Sequence, residues 1–212
     1  MNEPNGPRNT RKWYHLSHGG AGVAPVLASE KRREIFLDSL AQASRKTGIE
    51  IHGFALLPRR YHLIARGTED SLVSGMLQWI RCFTEWVHNV EGGERPLLAA
   101  RCGREQVAEA DLADLLSQIH YAPVAVGMSD EREHYDWTSY LYYIGEKQCP
   151  TWLTVSALRD YVSAPVSIDV ATSAGSISGI EVTDFDIGDE PTPLHGINLD
   201  SVVEETSSVT DL

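Results

Sequence analysis

The stretch IEIHGFALLPRRYHLIA, residues 49–65, holds two short apolar runs interrupted by Pro58-Arg59-Arg60. Each run has strand length, so the spacing predicts two strands, Ile49 to Leu57 and Tyr61 to Ala65, joined by a tight turn at 58–60. Upstream, Ser29-Glu30 opens a helix with Ile35, Phe36, Leu40 and Ala43 on one face, and Gly48 suits its C-terminal cap. Downstream, Leu72, Met76, Trp79, Ile80, Phe83 and Val87 recur at helical spacing until Gly92-Gly93 stops them. Trp13 to Ser17 reads as a first strand, and Leu97 to Val107 contains a last one. Leu112, Leu115, Leu116 and Ile119 mark a further helix, halted before Pro123. The order strand, helix, strand, strand, helix, strand predicts an α+β fold: a ferredoxin-like antiparallel sheet with helices on one face, followed by C-terminal helices.

The 212 residues, 42% hydrophobic and 23% charged, can bury an ordinary core, which excludes a disordered polymer. No stretch approaches the ~18–20 apolar residues that span a bilayer, and the first residues lack a secretory apolar core. Cys82, Cys102 and Cys149 are too few and too scattered for a disulfide framework or a thiolate zinc site. A cytoplasmic protein with no membrane partner is expected. The net charge of −12 is unevenly spread: +5 up to Arg104, −7 from Glu105 to Val162, and −10 from Ser163 onward, where there is no Lys or Arg. The composition shift predicts a domain over 12–162 and an acidic, mostly disordered tail over 163–212. Runs such as Ile180-Glu181-Val182 and Phe185-Asp186-Ile187 suit docking on a protein partner, and the tail's charge suits competition with nucleic acid for the basic half.

Several segments, in order, resemble the REP-associated, IS200-like branch of single-tyrosine HUH transposases over about Trp13 to Val162. They are IHGFALLPRRYHLIARGTEDSLVSGMLQWIRCFTEWVH (51–88), QIHYAPVAVGM (118–128), YDWTSYLYYIG (135–145) and PTWL (150–153). The resemblance implies a DNA transposition enzyme in which two histidines flanking a hydrophobic residue hold Mg²⁺ or Mn²⁺ while a tyrosine attacks a phosphodiester. It also implies hairpin or single-stranded DNA as partner and leaves a homodimer open.

The positions matching that active site are Arg60, His62 and Cys102. Arg60 stands where the first histidine belongs, and a guanidinium has no lone pair to give a metal. Cys102, in Arg101-Cys102-Gly103-Arg104, stands where the tyrosine belongs. Two losses together suggest a protein that binds DNA and no longer cleaves it, with no cofactor. Arg59, Arg60, Arg101 and Arg104, brought near one cleft by the resemblance, are the expected phosphate contacts, joined by Arg11 and Lys12. One alternative is an active enzyme with a rearranged site, in which His15, His18 or His52 joins His62 to rebuild a metal site, or Tyr121 replaces the nucleophile instead of packing in the core. Another is a protein-interaction module without DNA binding, in keeping with the −7 stretch. Trp137, Tyr140, Tyr142 and Tyr143 suit either base stacking or packing on the sheet. Trp79 and Phe83 are expected in the core, with Trp86 at its edge.

Overall fold

A computed structural model describes residues 10–19, 25–92 and 103–162. The proposed tail over 163–212, Arg101 and Cys102 lie outside the described residues. Four strands form one antiparallel sheet: β1 (Lys12–Gly19), β2 (Glu50–Leu57), β3 (Arg60–Gly67) and β4 (Gly103–Val107), in the spatial order β2-β3-β1-β4. α1 (Glu30–Thr47) links β1 to β2, and α2 (Glu69–Glu91) links β3 to β4. The chain order and strand order are those of the ferredoxin-like sandwich.

Local chemistry sets the helix ends. Ser29 Oγ accepts the Arg32 N–H at 3.2 Å, and Gly48, at φ 71°, closes α1 by donating its N–H to the Ser44 carbonyl. Thr68 caps α2 in the same way through the Ser71 N–H, and Gly92 ends it. The apolar stripe of α2 then meets α1 and β3. Phe36 of α1 lies against Trp79 at 4.7 Å, Tyr61 at 5.1 Å and Phe83 at 5.7 Å between ring centroids. Trp79 and Phe83 are buried, and Trp86 is half-buried against the core. Such aromatic pairs are worth about 0.5–1.5 kcal/mol each beyond the area they bury.

Three boundaries differ from the sequence reading. β3 begins at Arg60, which pairs with both Leu57 and Gly19, so the turn shortens to Pro58-Arg59. β1 extends from Lys12 to Gly19, because β3 continues to Gly67 and pairs with it throughout. Pro123 lies inside α3 (Leu112–Ala125) rather than beyond its end. Proline removes one N–H and so one bond to the preceding turn. At this position the last turn is held by other donors, with Val126 N–H on the Ala122 carbonyl and Met128 N–H on that of Pro123.

α3 packs on the sheet face opposite α1 and α2. Tyr61 points toward those helices, so Ile64, three residues along the strand, points away. A Cβ added to Gly53, the partner of Ile64, would meet Leu116 of α3 at 3.0 Å. The remaining chain closes the outer edge of β2. Leu56 N–H donates to the Trp137 carbonyl, Ser139 N–H to that of Phe54, and Thr154 N–H to that of Ile51. That edge therefore offers no open ladder for another strand. Two short helices, α4 (Tyr140–Tyr143) and α5 (Arg159–Val162), complete this segment. No helix among the described residues is long and apolar enough to cross a membrane.

Candidate nucleic-acid interface

The β2–β3 turn holds two exposed arginines. Arg59 occupies the turn, and Arg60 is the first residue of β3. Gly19, at φ 132°, ends β1 against this turn; a Cβ there would lie 2.3 Å from the Arg59 carbonyl oxygen, so only glycine permits the approach. Strand alternation puts Arg60 and His62 on one face, with Tyr61 between them in the core on the other.

His62, 9% exposed, meets His15 of β1, 1% exposed, with Nδ1 and Nε2 3.0 Å apart. The ring planes are within 10° and the centroids 5.2 Å apart, close to the largest separation that this nitrogen contact allows. The rings thus meet edge to edge, as a shared N–H···N bond requires. Beyond His15, a carboxylate oxygen of Glu105 lies 4.0 Å from its Nδ1. Burial holds His15 down at about 4; burial, then His15 and Arg60, hold His62 at about 3. Both imidazoles are neutral at pH 7.

The other sequence-derived residues go elsewhere. Arg104 pairs with Leu16, whose partner Leu63 shares the face of Tyr61, so Arg104 turns toward the α1–α2 side and lies 3.7 Å from Glu69. The structure therefore puts Arg104 and Arg60 on opposite faces rather than in one cleft. Arg11 and Lys12 sit at the far end of β1. Arg11 donates to the Gly48 carbonyl and pairs with Glu50, and Lys12 donates to Gln106.

His18 stacks on Tyr61 on the helix-covered face, and His52 packs against Trp13 and lies 3.5 Å from Glu50. Of the three, only His15 joins His62. Among the described residues no three His, Cys, Asp or Glu side chains gather as a metal cluster. Mg²⁺ and Mn²⁺ want several oxygen donors, whereas this position supplies a guanidinium and an imidazole whose Nδ1 is engaged, so the residues present do not fit that ion.

Tyr121 is half-buried on α3 rather than in the core. The C-terminal aromatics pack: Tyr143 donates to the His52 carbonyl at 2.6 Å, Tyr140 donates to Glu133, and the Arg33 guanidinium lies over Trp137. Tyr142 lies 6.2 Å from Phe54 between centroids. Sequence reading missed His120, whose Nε2 is 2.8 Å from Ser139 Oγ, and missed the approach of Glu105 to His15. Neither leaves a local signal, since each depends on which strands become neighbours.

No family model matches the chain, and no curated protein does. Among solved structures it is similar to a REP-associated tyrosine transposase bound to a REP hairpin, with a TM-score of 0.53 and 15% identity, covering 74% of this chain and 94% of that one. It also aligns with a candidate transposase from Deinococcus radiodurans R1 at a TM-score of 0.37 and 18% identity, over 56% of this chain and 95% of that one. At 15% identity, the first of these is a likeness of fold, and the chain has a transposase-like, REP-associated-like architecture.

Proposed function

We propose that the protein is a relative of REP-associated transposases that binds hairpin or single-stranded DNA through the end of the sheet carrying Arg59 and Arg60, and that it does not cut it. The observation that carries this is the Arg59–Arg60 turn: two exposed cations on a short hairpin, beside a histidine held neutral and bonded to another histidine. A fixed cation there binds a phosphate without the lone pairs that would hold a metal to activate it. The similar fold whose structure holds a REP hairpin supports DNA as the ligand. Cys102, at the position of the nucleophile, supports the loss of cleavage. The acidic segment 163–212 acts as a competitor for the basic surface or as a docking segment for another protein.

The test is incubation with labelled hairpin and single-stranded oligonucleotides, with and without Mn²⁺, on native and denaturing gels. A shift on the native gel alone is the expected result. A product surviving denaturation, or a cut strand, replaces this reading with that of an active transposase. No shift at low salt replaces it with a protein-interaction module. Arg59→Glu with Arg60→Glu should weaken binding more than tenfold at low salt and reduce the log–log salt slope by about 1.4, at roughly 0.7 per single-strand phosphate contact. Deleting 163–212 should tighten binding, most at low salt, where screening is weakest.

A further inference from the structure

We propose that Arg33 of α1 is the positioning residue of the Arg59–Arg60 turn: it holds the segments that tether the turn, so that the two exposed cations are set in place before DNA arrives. The role rests on the DNA-binding reading and belongs to a residue that touches no phosphate itself.

Arg33 is only 8% exposed. A guanidinium does not shed its proton, so a buried one is tolerated where its donors are filled. Here they go to carbonyls rather than to a carboxylate: Nε donates to Leu27 at 2.7 Å and Nη2 to Ala28 at 3.3 Å. Its central carbon lies 5.3 Å from the centroid of the Trp137 ring. The geometry starts from a local signal. Ser29 caps α1, so Arg33, in the first turn of the helix, folds back over the two residues that precede the cap.

Both sides of this side chain lead to the turn. Leu27, whose carbonyl Arg33 holds, donates its own N–H to the Pro58 carbonyl at 3.0 Å. Trp137, whose ring lies under the guanidinium, accepts the Leu56 N–H at 2.8 Å, and the Tyr135 hydroxyl donates to the Leu56 carbonyl at 2.8 Å. Leu56 and Pro58 flank Leu57, the last residue of β2, so one buried cation joins the two segments that grip the base of the turn. Lysine cannot take this place, because a single ammonium does not reach two carbonyls while lying flat on an indole.

A tethered turn has little freedom left to lose on binding, whereas a loose one must be ordered, and that cost weakens affinity without removing a phosphate contact. Arg33 therefore has a signature of its own. Loss of Arg59 or Arg60 lowers the salt slope of DNA binding, while loss of Arg33 lowers affinity at an unchanged slope.

The test uses two variants of the full-length protein. Arg33→Lys keeps the charge and loses the fork; Arg33→Met loses both. Each is expected to bind hairpin DNA about fivefold more weakly at low salt, with the log–log salt slope of the native protein. Each should also speed hydrogen exchange at the Leu27 amide by about tenfold in the absence of DNA. Native affinity in Arg33→Lys beside weakened binding in Arg33→Met, or a slope reduced by about 0.7 in Arg33→Met, makes Arg33 a phosphate contact and overturns the proposal. Native affinity in both variants overturns it as well, leaving Arg33 with a role in stability alone. A measurement on the native protein stands whether or not the variants fold: without DNA its Leu27 amide should exchange at least about 100-fold more slowly than an unstructured amide, and exchange at the unstructured rate overturns the proposal. Absence of DNA binding by the native protein, with the Leu27 amide protected there and released in Arg33→Lys, overturns the DNA reading and leaves the tethered turn standing.

Discussion

His62 and His120 share one chemistry and sit in two different regions. Both are buried and neutral, each held at about 3 mainly by burial. His120 belongs to the segment that closes the edge of β2. Its Nε2 meets Ser139 Oγ, and the same oxygen accepts the Phe54 N–H at 2.9 Å. Its polar contacts end in the backbone of an edge strand. His62 belongs to the turn end of the sheet, and its contacts run through His15 to a half-exposed carboxylate, with an exposed arginine two residues away on the same face. A depressed histidine pKa therefore records burial, not function. What separates the two is where the line of polar contacts ends.

Acid should act on both regions alike, with the largest effect. The folded-state values of His15, His62 and His120 lie below the unfolded 6.5, so below pH 6.5 the unfolded chain binds more protons. Their stabilising contribution is complete above that pH and is lost as pH falls toward 4 and then 3, at up to about 1.4 kcal/mol per pH unit for each group. At pH 5 each costs about 2 kcal/mol relative to pH 7, measurable by urea denaturation. His120→Gln and His62→Gln should each remove a similar share of this acid sensitivity. A share removed by only one of them breaks the symmetry between the regions.

Ser139→Val comes next. It strands the Phe54 N–H and the His120 nitrogen in a buried site, and a loss of about 3 kcal/mol is expected in the same measurement. Tyr143→Phe removes a single hydroxyl bond to the His52 carbonyl and should lower stability by about 1 kcal/mol. Arg60→Gln, at the exposed turn, should change stability by less than about 0.5 kcal/mol while weakening DNA binding. A large loss of stability there would make the turn a structural element like the β2 edge.

The elements themselves were legible because their signals are local. The α2 stripe, Ser29 and Gly48 at the ends of α1, and the pair of strands around Pro58 lie where periodicity and capping put them. Pro123 was misread because a proline one turn from a helix end removes only one bond, and neighbouring donors hold the turn. The site was legible only in part. Arg60 and His62 share a face because β-strands alternate, which any strand reading delivers.

The sequence by itself determined the element order, the apolar faces, and the presence beside His62 of an arginine, Arg60, that cannot ligate a metal. Only the tertiary structure decided that His15 meets His62 across 47 residues of chain, that Glu105 stands behind them, and that Arg104 turns to the other face beside Glu69. The reason is register: a slip of one residue between paired strands sends every side chain to the opposite side, and nothing local to either strand states which pairing the sheet adopts.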